Sequence, residues 1–297
     1  LSAFILYIRV LFRAIREVAG KCSTLQMGMV SSERVFRVLD TDEHIDDTGL
    51  TNANRFEGNI EFQNVWFSYK QGDPVLKDIS FKVNKGESLA LVGATGSGKT
   101  SIINLLSRFY EFEKGEILID DKSVREYPKE VLRSNIAVVL QDVFLFSDTI
   151  YENITLGDHS ITKETVVEAA KEFGAHDFIS ELPGKYDYNV MERGAMLSVG
   201  QRQLISFIRA YVHNPCILVL DEATSSIDTE SEDIIQKALE KLMKGRTSII
   251  IAHRLATIQN ADKILVLEKG NVLEIGSHQE LLENEGHYHT LFELQYS

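Results

Sequence analysis

Gly93-Ala94-Thr95-Gly96-Ser97-Gly98-Lys99-Thr100 decides the reading of this chain. The stretch follows the pattern G-x-x-x-x-G-K-T, in which glycines let the backbone curl so tightly that several N–H groups face one anion. The apolar run Ser88-Leu89-Ala90-Leu91-Val92 precedes it and suits a buried strand. Ser101-Ile102-Ile103-Asn104-Leu105-Leu106 follows it and suits a helix packed on a sheet. The helix N-terminus adds its positive dipole end at the same spot. In such a loop Lys99 reaches the β- and γ-phosphates and the Thr100 hydroxyl ligates Mg²⁺. Gly93, Thr95, Gly96, Ser97, Gly98 and Ser101 complete the expected nucleotide cradle. A glycine-rich turn that binds nothing needs neither the lysine, the threonine nor this flanking context.

Outward from the loop, strand character extends upstream to Arg55. Ile60-Glu61-Phe62 alternates, Val65-Trp66-Phe67-Ser68-Tyr69 is aromatic, and Val75 to Val83 gives a further strand. Trp66 is expected in the core. Downstream, Gly115 to Asp120 and Ile136 to Leu140 read as strands, the latter stopping at Gln141. From about 150 to 195 the strands give way to helical spacing, as in Val166, Ala169, Ala170 and Phe173. Strand character returns at Ile217–Leu220 and Ser248–Ile251, with helices over Gln201–Val212 and Glu230–Met243. Strands alternating with helices predict an α/β sheet with substantial parallel pairing.

Before residue 40 the pattern is different. Ile15, Val18, Cys22, Leu25 and Met29 recur at spacings of three and four, one face of a long helix that Phe36 and Leu39 extend. Residues 3–8 are strongly apolar, but Arg9 ends a run far short of the ~20 residues that span a bilayer. Two readings follow: an amphipathic soluble helix, or the last turns of a membrane helix cut short. Residues 40–55 are polar and acidic and read as a linker.

The totals agree with a globular chain. It has 297 residues, 44% of them hydrophobic, and a formal net charge of −13. An acidic balance argues against a chain that coats nucleic acid. The two cysteines, Cys22 and Cys216, lie far apart and suggest a reduced, cytosolic setting without a disulfide. The chain starts at Leu1 and is expected to be a fragment; no signal peptide is visible. His44, His159, His213, His278, His287 and His289 have no metal-ligand partners at helpful spacing.

Ile217-Leu218-Val219-Leu220-Asp221-Glu222 is an apolar strand ending in two carboxylates. In phosphate-loop enzymes a strand beside the loop delivers an Asp toward Mg²⁺. Adjacent acids on a strand point to opposite sides, so Asp221 is expected to face the metal and Glu222 the attacking water.

With these residues in place, the chain resembles the nucleotide-binding domain of ATP-binding cassette transporters of the exporter type. The loop and acid pair are shared with many ATPases. Leu197-Ser198-Val199-Gly200-Gln201 matches the family's Leu-Ser-Gly-Gly-Gln signature at all places but Val199. The order Tyr69, loop, Gln141, signature, acid pair, Ser225-Ser226-Ile227-Asp228, His253 is also that of the family. The resemblance is strong after residue 55 and weak before it.

That resemblance implies a phosphate-loop NTPase core of RecA type, an N-terminal antiparallel β-subdomain and a helical insertion over about 142–213, all within 56–297. It implies ATP and Mg²⁺ as cofactors. Tyr69 would stack on adenine. Gln141 would touch the metal or the attacking water, joining Thr100 and Asp221 as metal contacts. Glu222 would be the general base, assisted by Lys99, Gln141 and a His253 that hydrogen-bonds the γ-phosphate. Two domains would pair head to tail, Asp228 at their contact, with Ser198, Val199, Gly200 and Gln201 of one holding ATP on the loop of the other. Residues 1–55 would be the cytoplasmic extension of the last membrane helix plus linker, placing the domain at the cytoplasmic face of the cell membrane beside a membrane domain of the same parent chain. Val190 to Gly194 and Phe144-Leu145-Phe146-Ser147 resemble segments through which exporters meet their membrane helices. The implied work is ATP-driven export of a lipid, drug or peptide. Rival readings are a weakly hydrolysing half of a heterodimeric transporter and a soluble cassette ATPase acting on DNA or translation. Acidic balance and the N-terminal helix speak against the soluble form and against nucleic acid as a partner.

Overall fold

The computed structural model describes residues 2–41, 45, 47, 49–51, 55–221, 229–252 and 255–296, without the side chains of 2, 229–231 and 294–296. The chain divides into two units, Leu1–Asp46 and Asp47–Ser297.

The first unit is the helix α1 (Ser2–Leu39). Ile15, Val18, Leu25, Met29, Phe36 and Leu39 form the stripe read from the sequence, all exposed, and Met27, Val30, Val35 and Val38 are exposed on other parts of the helix surface. Pairs Arg13–Glu17 and Glu33–Arg37 lie one turn apart along the helix. Among the described residues no helix is long and apolar enough to cross a membrane.

The second unit begins with β1 (Ile60–Phe67) and β2 (Leu76–Val83), then β3 (Ser88–Val92), α2 (Lys99–Leu106), β4 (Lys114–Ile119) and β5 (Lys122–Ser123). α3 (Lys129–Asn135) and β6 (Ile136–Val139) follow, then a helical stretch of α4 (Ile150–Thr155), α5 (Lys163–Glu172), α6 (His176–Glu181) and α7 (Val199–Val212). The chain closes with β7 (Ile217–Asp221), α8 (Thr229–Met243), β8 (Thr247–Ile251), α9 (Leu255–Gln259), β9 (Lys263–Glu268), β10 (Asn271–Gly276), α10 (His278–Glu283) and α11 (His287–Tyr296).

Two sheets result among the described residues. One is antiparallel, in the order β2-β1-β4-β5. The other runs β10-β9-β3-β8-β7-β6, parallel except for its β10–β9 edge pair. The central strands read as unbroken apolar runs because both their faces are buried. Alternate residues serve different cores. Ala90, Leu218, Leu220 and Ile250 join the cluster with the helical stretch. Leu89, Leu91, Ile217, Val219, Ile249 and Ile251 join the cluster with the antiparallel sheet. Each fully buried Leu or Ile stabilises the fold by about 1.5–3 kcal/mol, so one strand ties the two cores together.

Three expectations need correction. The strand carrying Asp221 is not beside the loop strand; β8 lies between β3 and β7. Strand order follows from pairing across long sequence separations, which local pattern does not encode. Trp66 is not a core residue: it is half-buried, with the Lys114 ammonium 5.8 Å from its ring centre. β1 alternates, so Val65 and Phe67 point inward and Trp66 points away. Tyr69 lies beyond β1, which ends at Phe67.

Candidate nucleotide site

β3 delivers the chain into the loop at Gly93. Its φ is 153°, and a Cβ there would sit 2.2 Å from the Leu267 carbonyl oxygen and 2.9 Å from Ser97 Oγ. At Gly96, φ is 81° and nothing lies within 4 Å of where a Cβ would stand. The first glycine is required by close packing on β9; the second faces open space. Gly93→Ala therefore lowers stability by about 3 kcal/mol, through a clash with backbone that cannot yield. Gly96→Ala lowers it by only about 1 kcal/mol, through left-handed strain. Urea denaturation without nucleotide checks the pair; equal losses would contradict this geometry.

The loop is closed by Ser97 N–H donating to the Ala94 carbonyl at 3.1 Å, and it passes into α2 through Ser101 and Ile102 N–H groups on the Gly98 carbonyl. The N–H groups of Gly96, Gly98, Lys99 and Thr100 have no partner among the described residues. Ser97 Oγ is buried and equally unpartnered among them. Orphaned donors converging where a helix begins are the structural form of an anion site. Lys99 supplies the charge. Its Nζ donates to the carbonyls of Gly93 at 2.7 Å and Ala94 at 3.0 Å. Burial lowers its pKa from the usual lysine value, and the Asp221 carboxylate opposes that shift. Lys99 and Asp221 thus share one electrostatic neighbourhood although β8 separates their strands.

Tyr69 stands beside the loop, 46% exposed. Its hydroxyl lies 3.1 Å from Ser101 Oγ and accepts from Asn104 Nδ2 at 3.2 Å. Phe67 and Tyr110 pack edge-on against its ring at 4.6 and 4.9 Å. The hydroxyl is tethered and the ring is held upright, which is what a stacking platform needs. Thr100 is exposed at the start of α2, and Asp221 is half-buried at the end of β7. Both offer the hard oxygen donors that Mg²⁺ takes, and the unpaired N–H groups suit phosphate, so the residues present fit Mg·ATP.

The signature forms a second constellation. Ser198 caps α7: its Oγ accepts from Gln201 N–H at 3.2 Å, and its own N–H donates to Gln201 Oε1 at 2.9 Å. This reciprocal box starts the helix at Val199, two residues earlier than the apolar spacing alone indicates. Val199 is exposed and Gly200 buried. Arg202 ties the helix to the preceding turn through the Leu197 carbonyl at 2.6 Å. No hydrogen bond or ion pair among the described residues joins 198–201 to the phosphate loop. Gln141 is exposed just after β6. Beyond it Phe144 and Phe146 are exposed with their rings edge-on at 5.1 Å, whereas Leu145 is fully buried. Glu222, Asp228 and His253 lie outside the described residues.

Several residues of the site escaped the sequence reading. Gly270, in the β9–β10 turn, donates its N–H to the Ser97 carbonyl at 3.0 Å, and Leu267 abuts Gly93. The signal was there: Lys263–Glu268 is an apolar run followed by a Lys-Gly turn. Asn104 and Tyr110 carry no motif and are found only by packing.

Residues 76–225 match the family model described as ABC transporter. The chain belongs to that family. The ATP-binding domain of that family hydrolyses ATP. The chain is 48% identical over 295 residues to the probable multidrug resistance ABC transporter ATP-binding/permease protein YheH of Bacillus subtilis, covering 99% of this chain and 44% of that protein. It is 46% identical over 296 residues to the uncharacterized ABC transporter ATP-binding protein YknV of the same organism, covering 99% of this chain and 49% of that one. The solved structure of a bacterial Atm1-family ABC exporter with ATP bound superimposes with a TM-score of 0.80 at 39% identity, covering 92% of this chain and 48% of that chain. The chain spans about half the length of the curated relatives it matches. The fold read from the loop, a phosphate-loop ATPase core of α/β class, is the fold of this ABC transporter domain.

Proposed function

We propose that two such domains close head to tail around two Mg·ATP and that this closure drives export across a membrane. The carrying observation is the separation of the two constellations. Among the described residues the loop gathers unpaired donors and a lysine, while Ser198 and Val199 stand exposed on a helix end that makes no bond to that loop. A helix N-terminus presented outward suits the γ-phosphate held by a second copy or a related domain. Tyr69 stacks on adenine. Thr100, Gln141 and Asp221 hold Mg²⁺, which neutralises charge on the phosphates. Glu222 accepts the proton of the attacking water, His253 hydrogen-bonds the γ-phosphate, and Asp228 lies at the contact between domains. Loss of the γ-phosphate removes what both domains share, so closure follows the nucleotide.

One relative's name supplies the setting: a probable multidrug resistance ATP-binding/permease protein. In this reading residues 1–55 extend the last membrane helix into the cytoplasm. The domain works at the cytoplasmic face of the cell membrane, and the exported molecule is a drug, lipid or peptide. Phe144 and Phe146 offer the apolar seat for the membrane domain. Phosphate release from Mg·ATP, measured against chain concentration, tests the shared site. Turnover per chain rises with concentration if two chains complete each site; a constant turnover per chain refutes it.

A further inference from the structure

At the opposite end of the parallel sheet from the phosphate loop, the second unit holds a cavity of about 440 Å³. It sits where chains enter β3, β7 and β8, and Arg55, Glu57, Lys85, Asn214, Lys244 and Arg246 line it. Four cations facing one carboxylate are unexpected in a chain with net charge −13. The carboxylate is itself engaged, since Glu57 lies 3.9 Å from the Lys85 ammonium.

The four cations differ in what they have left to offer. Arg246 is committed to its own protein: Nη1 donates to the Leu242 carbonyl at 2.6 Å, Nε to the Pro215 carbonyl at 3.2 Å, and Nη2 to Asn214 Oδ1 at 3.5 Å. None of those acceptors carries charge. Burial lowers the Arg246 pKa, Tyr211 opposes that shift, and the like charge of Arg55 adds to it. Arg55 and Lys244 have exposed side chains with no hydrogen-bond or ion-pair partner among the described residues. The like charges of Arg55 and Arg246 therefore interact unfavourably in one cavity lining, an interaction that an anionic ligand would offset.

We propose that this cavity binds a small phosphate-bearing anion, with the Arg55 guanidinium and the Lys244 ammonium as direct ligands and Arg246 as a fixed positive wall. The uncommitted fork of Arg55 matches two phosphate oxygens, which a point charge does not. Lys244 adds a mobile donor beside it. The volume lies within the roughly 300–1,000 Å³ range of small-ligand pockets, which favours a molecule over a segment of another protein. The excess of cations suits a dianion or trianion, such as a phosphate monoester or pyrophosphate. The site is separate from the ATP site and does not depend on the transport reading, because none of its residues belongs to the loop or the signature.

Calorimetric titration of the full chain with inorganic pyrophosphate tests the proposal, in the Lys99→Met background so that the phosphate loop contributes little. One saturable event is expected, weakened by added chloride. Arg55→Gln with Lys244→Gln should lower its affinity about tenfold or more, while circular dichroism stays unchanged. In the chain with Lys99 intact, the same double substitution should leave ATP hydrolysis at the parent rate. Absence of binding in the Lys99→Met chain, or equal affinity with and without the two cations, overturns the site.

Discussion

Lys99→Met should weaken nucleotide binding by orders of magnitude without weakening the fold. The ammonium is buried, donates to the carbonyls of Gly93 and Ala94, and its pKa is pushed down by burial. A lysine whose folded pKa is depressed binds fewer protons folded than unfolded. It therefore works against stability below its unfolded pKa, and stability rises with pH between the folded and unfolded values. Methionine fills a similar volume without that charge. In the absence of nucleotide the unfolding midpoint at pH 7 should lie at or above that of the parent. With Mg·ATP the order reverses. Two charge-assisted contacts to phosphate are worth about 3–4 kcal/mol, so affinity should fall by about 10²–10³-fold. The midpoint rise that ATP gives the parent should then vanish at ordinary ATP concentrations. A thermal scan with and without Mg·ATP reads both effects. A variant destabilised before nucleotide is added would mean that Lys99 is a structural residue.

Glu222→Gln carries the second large effect. The amide keeps the shape and removes the proton acceptor. A general base contributes about 10²–10⁴ in rate, so single-turnover phosphate release should slow by about 10³-fold while ATP still binds. Equal turnover in the parent and Glu222→Gln would remove this residue from the chemistry.

The loop was legible because its requirements are local. Its glycines and its lysine sit at fixed offsets, and β3 and β7 read as apolar runs because both faces are buried. The body of α7 was legible from Gln201 on, but its start at Val199 was not, since the apolar spacing does not mark the reciprocal cap of Ser198 and Gln201. What failed depends on distant pairing. β8 separates β3 from β7, and β9 and β10 went unread although their turn braces Ser97 through Gly270. Trp66 misled because hydrophobicity alone does not say which face of β1 a residue occupies. Tyr69 was identified through the resemblance, but its tether to Ser101 and Asn104 joins residues more than thirty apart. No local pattern carries such a contact.

Sedimentation of the Glu222→Gln chain with and without Mg·ATP tests the shared-nucleotide site most directly, because slowed hydrolysis preserves the closed state. The chain should sediment as a 33.5 kDa species alone and at twice that mass with Mg·ATP. A further Ser198→Arg substitution, placing a bulky cation at the cap of α7, should return it to the single mass. ATP bound with no change in mass would contradict the account.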